Sequence, residues 1–204
     1  MKLPKVSIVN YGLGNLRSAK KGLEKSGAEV LITDDPKQLG KSDAIVLPGV
    51  GAFAPAVKNL FPLSNVVKQS VADGKPLLGI CLGLQLLFTR SSEGESIEGL
   101  NLIAGDVVKL PDSVKTPQMG WNTIEIVKPH PLFEGVPNFS YVYFVHSYVP
   151  QPLEQDVILA ITEYGVKFPS VVAKQNIFAT QFHPEKSSKT GAMILKNFVR
   201  IVKR

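Results

Sequence analysis

Between an apolar run, Pro76 to Ile80, and a helix-like stretch, Leu82 to Phe88, lies the pentapeptide Gly79-Ile80-Cys81-Leu82-Gly83. The run reads as a buried strand and the stretch as the start of a helix, so the chain has to turn sharply between them. Such a turn forces its central residue into a strained backbone conformation. Glycines two positions away on either side let strand and helix pack closely. The pattern is the G-x-C-x-G version of a nucleophile elbow. It confines the fold to one in which a buried strand ends beneath the first turn of a helix. It also leaves the Cys81 side chain exposed at the carboxyl end of a sheet, where a helix N-terminus favours the thiolate. A lone cysteine is ordinarily a small buried hydrophobe. The glycines, the strand-to-helix switch and the partners below reverse that reading, and Cys81 is taken as a nucleophile.

A nucleophilic thiol needs a base, and the chain offers His130, His146 and His183. His183 ends an apolar run and is followed by Pro184 and Glu185. Pro184 biases His183 away from helix and stiffens the spacing, so a carboxylate at i+2 can orient the ring and stabilise its cation. Cys81, His183 and Glu185 thus form a candidate Cys-His-Glu set. A third segment, Asp43 to Leu47 followed by Pro48-Gly49-Val50-Gly51, reads as a strand ending in a glycine turn. Glycines on both sides of Val50 let its peptide swing a backbone N–H toward a developing oxyanion. His130, between two prolines, reads as a surface turn residue.

Around these motifs the first half alternates strand and helix: Lys5 to Asn10, Asn15 to Ser26, Glu29 to Thr33, Ala44 to Leu47, then a helical stretch from Phe53 through Asp73. That stretch is expected in two pieces, broken at Pro62 and restarted with Ser64 as N-cap. The β-α-β-α order implies a parallel sheet with right-handed crossovers. The second half carries strand-like runs at Asp106 to Leu110, Thr123 to Val127, Tyr141 to Val149, Val157 to Glu163, Ser170 to Ala173 and Ile177 to Thr180. Several should pair antiparallel beside the parallel core. A closing helix buries Ile194, Leu195, Phe198, Val199 and Val202.

At 204 residues the chain reads as one domain, 1–204, large enough for a sheet covered on both faces. A single cysteine permits no internal disulfide and fits a reducing compartment. The first residues are too soon polar for a signal peptide, and nothing approaches a membrane span, so a cytoplasmic protein is expected. The net charge of +6 comes from scattered cations without aromatic interleaving, which argues for solvated surface or an acidic partner rather than nucleic acid. Gly12-Leu13-Gly14 lacks the third glycine of a dinucleotide fingerprint, Arg17 standing in its place. Three scattered histidines make no zinc site, and no metal or cofactor is required.

Pro48-Gly49-Val50-Gly51, Gly79-Ile80-Cys81-Leu82-Gly83-Leu84-Gln85 and Gln181-Phe182-His183-Pro184-Glu185-Lys186 resemble, in order, the three signatures of class I, triad-type glutamine amidotransferases. Asn10 to Leu16, Gln118-Met119-Gly120-Trp121-Asn122, Tyr143 to Tyr148 and His183 to Ser187 are similar to the subfamily of glutaminase subunits of imidazole glycerol phosphate synthases, in histidine biosynthesis. The resemblance runs from about residue 5 to the end. It implies an α/β, flavodoxin-like three-layer fold with a mainly parallel central sheet and antiparallel strands in the second half. It implies hydrolysis of L-glutamine by Cys81, His183 and Glu185, an oxyanion hole at Val50, Gly51 and Leu82, and substrate contacts at Gly51, Leu82, Gln85, Ser147 and Tyr148. Ammonia would pass to a separate cyclase subunit with a TIM barrel in a one-to-one pair. Asn15, just past the carboxyl end of the first strand, and Lys186, directly after Glu185, belong to the active edge of the sheet and are expected at that interface. The rival readings are another amidotransferase subunit, a cysteine hydrolase of the same architecture, and a non-enzymatic binding module.

Overall fold

The computed structural model describes residues 2–94 and 96–203. Its first half runs β1 (Lys5–Val9), α1 (Leu16–Lys25), β2 (Glu29–Thr33), α2 (Pro36–Lys41), β3 (Ala44–Gly49), α3 (Phe53–Ala72), β4 (Leu77–Cys81) and α4 (Leu82–Gln85). Then come β5 (Phe88–Ser91), β6 (Ile97–Glu98), β7 (Ile103–Lys109), β8 (Gln118–Ile126), β9 (Ser140–His146) and β10 (Tyr148–Pro152). The chain closes with β11 (Ile158–Glu163), β12 (Lys167–Lys174), β13 (Ile177–Thr180) and α5 (Ser188–Val202).

The main sheet has the order β2-β1-β3-β4-β13-β12-β11-β8-β9. Its first five strands are parallel and the remaining pairings antiparallel. A smaller sheet, β10-β7-β5-β6, lies beside it. The mainly parallel α/β sheet with added antiparallel strands is the architecture the sequence led one to expect. Along β3 the side chains alternate as a strand must. Ala44 and Val46 enter the core with Ala19 and Leu23 of α1 and Ile194, Leu195, Phe198 and Val199 of α5. Ile45 and Leu47 enter the core with Leu39 of α2 and Phe53, Ala56, Leu60, Leu63 and Val67 of α3. Both faces are therefore covered, and β1, β3, β4 and β13 end together at one edge. Ligands of open α/β sheets bind at such an edge. Among the described residues no helix is long and apolar enough to cross a membrane.

Three element readings are corrected, and α2 and β6 have no counterpart in the sequence reading. First, α3 is one helix with Pro62 inside it. Its buried residues Phe53, Ala56, Leu60, Leu63 and Val67 continue at spacings of three and four past the proline, which lies on the solvent side. Burial of that stripe outweighs the single missing N–H. Ser64 is not a cap, since its hydroxyl donates back to the Phe61 carbonyl. Second, α4 is a single turn, and Phe88 starts a strand. The carbonyls of Leu86 and Leu87 accept from the amides of Leu100, Leu102 and Ile103, so no further helical bonds can form there. Third, Tyr141 to Val149 is not one strand. β9 pairs with β8 up to Gln118↔His146, and β10 pairs with β7 from Lys109↔Tyr148, so the chain changes sheets at Ser147. His130 is half-buried rather than a surface residue, its ring 5.6 Å from that of Phe178.

Candidate active site

The turn between β4 and α4 holds Cys81 at φ 54° and ψ −109°, a conformation a non-glycine residue adopts only under constraint. The constraint comes from its neighbours. A Cβ on Gly83 would lie 1.7 Å from the Leu47 carbonyl oxygen, and one on Gly79 would lie 3.0 Å from the backbone of Gly83 and Leu84. The first is a collision no shift of a side chain relieves. The sequence reading exposed Cys81, whereas only 4% of it is accessible. The segment Val145 to Tyr148, where the chain changes sheets, covers it and leaves a cavity of about 200 Å³.

Every expected oxyanion and substrate position lines that cavity: Val50, Gly51, Leu82, Gln85, Ser147 and Tyr148, together with Cys81. A larger hollow of about 710 Å³, between the small sheet and β11–β12, holds none of them. His183 and Glu185 lie behind the wall, their side chains buried and paired through Nδ1 and Oε1 at 2.8 Å. With a carboxylate accepting at Nδ1, the other ring nitrogen of His183 remains buried and unbonded. Burial alone would lower the pKa of this imidazole. The proximity of Cys81 and Glu185 outweighs it and raises the pKa to about 10. The ring is thus favoured as a cation in this setting. Its backbone is stitched in place: the Ser187 hydroxyl donates to the His183 carbonyl at 2.6 Å and accepts from the Tyr143 amide at 2.9 Å.

The glycine turn is fixed at its base and open at its tip. The Tyr11 hydroxyl donates to the Pro48 carbonyl at 2.5 Å, and a Cβ on Gly49 would meet both Tyr11 Oη and Leu82 Cβ. Burial, with the nearby charge of Cys81, pushes the Tyr11 phenol well up, so it stays a donor. Gly51, at φ 110°, has no neighbour where its Cβ would be. Any swing of this turn therefore begins beyond Gly49.

Asn15 and Lys186 do not line the cavity. Asn15 precedes α1 at the N-cap position without a side-chain capping bond, and exposed Lys186 holds Nζ 5.7 Å from the Tyr143 ring centre.

Residues to which the sequence reading gave no role also reach the site. Glu93 lines the cavity and caps α3 by accepting from the Phe53 amide at 3.0 Å. It stands in a polar stretch that carries no motif. Gln181, fully buried, touches the Cys81 sulfur. His146 lines the cavity wall, its Nδ1 bonding the Tyr148 carbonyl at 3.0 Å and its Nε2 buried without a partner. Burial, then the charge of His183, depresses the His146 pKa to about 4 against the backbone bond. The folded form therefore refuses a proton that the unfolded chain takes up near pH 6.5, so stability is expected to fall as pH drops from 6.5 toward 4. The gap corresponds to about 3 kcal/mol. Denaturant titrations at pH 7 and pH 4.5 should show the His146→Phe chain losing about 2 kcal/mol less than the wild type, since that interval spans most of the gap.

A family model described as "Glutamine amidotransferase class-I" matches residues 7–202. The chain is 51% identical over 197 residues to the imidazole glycerol phosphate synthase subunit HisH of Methanocaldococcus jannaschii, covering 97% of this chain and 100% of that one. It is 48% identical to the protein of the same name from Caldanaerobacter subterraneus subsp. tengcongensis, covering 97% and 98%. Among solved structures, PurLQS from Thermotoga maritima superposes with a TM-score of 0.78 at 18% identity over both full chains. The glutaminase domain of Trypanosoma brucei CTPS, solved with acivicin, gives 0.72 at 17% identity over 98% of this chain and 94% of that one. At such identities these structures speak to the fold.

Proposed function

The chain belongs to the class-I glutamine amidotransferase family, and from that membership we propose that it is the glutaminase subunit of imidazole glycerol phosphate synthase. The reading is carried by one observation: the chain's lone cysteine sits in an elbow that lines a cavity, close to a buried histidine held by a carboxylate. The near-full-length identity of about half to the HisH proteins selects this subfamily.

In this reading Cys81, His183 and Glu185 act as nucleophile, acid–base and orienting carboxylate within one domain spanning 1–204. The Cys81 thiolate attacks the side-chain carboxamide carbon of L-glutamine. Backbone N–H groups of Leu82 and the Val50–Gly51 turn receive the oxyanion. The imidazolium of His183 gives its Nε2 proton to the departing nitrogen, and ammonia leaves. Water then adds to the γ-glutamyl thioester, its proton returning to His183, and glutamate and the thiolate are regenerated. Gly51, Leu82, Gln85, Ser147 and Tyr148 hold the substrate, and the Glu93 carboxylate suits its α-ammonium group.

Ammonia passes, in the cytoplasm, to a separate cyclase subunit with a TIM barrel. There a phosphorylated ribulosyl intermediate becomes imidazole glycerol phosphate and aminoimidazole carboxamide ribotide. Asn15 and Lys186 are assigned to the boundary with that partner. Met119, Trp121 and Tyr141, all exposed, share one face of the β8–β9 ladder with Tyr143, beneath the Lys186 ammonium, and extend the same surface. Mixing the chain with a barrel cyclase, the ribulosyl intermediate and amide-labelled glutamine should place the label in the imidazole product. Hydrolysis of glutamine with no label transferred, or capture of a different synthase from the source cell, would overturn the assignment.

A further inference from the structure

Gln181 lies one residue beyond β13, whose Thr180 pairs with Ile80 of β4, so the parallel register carries it alongside Cys81. Its side chain is completely buried, and both its polar atoms have a partner. The Nε2 atom lies 3.7 Å from Cys81 Sγ, and Oε1 accepts from Gln85 Nε2 at 3.3 Å. Gln85 Nε2 also donates to the Tyr148 carbonyl at 3.0 Å.

The direction of these bonds is fixed by that backbone carbonyl, which can only accept. The Gln85 atom facing it must be nitrogen, the Gln181 atom facing that nitrogen must be oxygen, and the Gln181 atom facing sulfur must be the N–H donor. Cys81 meets the Val145 carbonyl on another side at 3.6 Å, a contact only a thiol can use as donor. The two neighbours thus favour opposite forms: Val145 the protonated sulfur, Gln181 the anion. A donor to a charged acceptor is the stronger of the two kinds of bond.

We infer that Gln181 is a catalytic residue, its side-chain amide holding the Cys81 thiolate opposite the influence of His183 and aiming it into the cavity. This rests on Cys81 being the nucleophile, and it gives Gln85 a second task. Gln85 lines the cavity while its nitrogen fixes the Gln181 amide, so the substrate's own contact residue braces the nucleophile.

Because the chain has a single cysteine, alkylation by iodoacetamide reports Cys81 alone. In the full chain, free and in complex with the cyclase, Gln181→Met keeps the volume and removes the donor. The pH midpoint of alkylation should move up by about one unit, and kcat for glutamine should fall about tenfold with KM within about twofold. The thermal unfolding midpoint identifies folded material, and Gln181→Asn, which withdraws the amide by one methylene, serves if the Met variant does not fold. A merely structural role would change the unfolding midpoint and leave the alkylation midpoint in place. A wild-type alkylation midpoint, or a wild-type kcat, in the folded variant would overturn the inference without touching the glutaminase reading. Failure of the wild-type complex to hydrolyse glutamine would defeat that reading instead.

Discussion

Cys81→Ala is expected to lower glutamine hydrolysis by about 10⁴-fold or more, the loss seen when the nucleophile of a cooperating set is removed. The fold should survive. The strained backbone at Cys81 is imposed by the Gly83 contact with the Leu47 carbonyl, and alanine meets the same φ of 54° with a smaller side chain. The sulfur's neighbours, Val145 and Gln181, lose one bond each. Synthesis by the complex from high external ammonium should therefore remain near the wild-type rate, because the thiol releases nitrogen and takes no part in using it. A mutant complex that cannot use ammonium would mean that the two subunits do not divide the labour as proposed.

His183→Ala is expected to cost about 10³–10⁴ in kcat, and Glu185→Gln about 10–100. His183 moves protons in both halves of the reaction, whereas Glu185 holds Nδ1 at 2.8 Å and stabilises the cation. A glutamine oxygen can still accept from Nδ1, so the ring should keep its place. The lost charge has a separate signature. Glu185 helps to raise the His183 pKa to about 10 against burial, so its removal lowers that value. Above the new value the imidazolium is gone and nothing protonates the leaving nitrogen. The alkaline limb of the kcat/KM profile should accordingly move to lower pH in Glu185→Gln. An unmoved limb, or an enzyme as inactive as His183→Ala, would assign Glu185 a different role.

What could be read from residues alone follows from how local the physics is. The elbow, the His-Pro-Glu turn and the glycine turn announce themselves because each needs glycine or proline at a fixed offset. The alternation of the first half is written in short apolar runs separated by turn residues. The break at Ser147 is not, because no glycine or proline marks it. It results from β8 starting opposite His146 while β7 ends opposite Tyr148, a register set by partners distant in sequence. That break also buries Cys81, so the enclosure of the site was as illegible as its cause. Pro62 misled in the opposite direction, since a local helix-breaking signal lost to a buried stripe on both sides of it. Gln181 stood in view as part of a motif, but its partner, the sulfur of a residue a hundred positions away, appears only once β13 lies beside β4.

The glycine contacts at the elbow have a metrological consequence. Gly83 rests directly on the Leu47 carbonyl, and Gly49 rests on Leu82, so the end of β3 and the start of α4 touch backbone to backbone. The gap between the Leu82 amide and the foot of the Val50 turn is then gauged by atomic radii, with no rotamer or loop length to vary it. Whatever adjusts when a substrate or partner arrives, that gauge block does not. It gives the Val50 peptide beyond Gly49 a fixed datum against which its position is set.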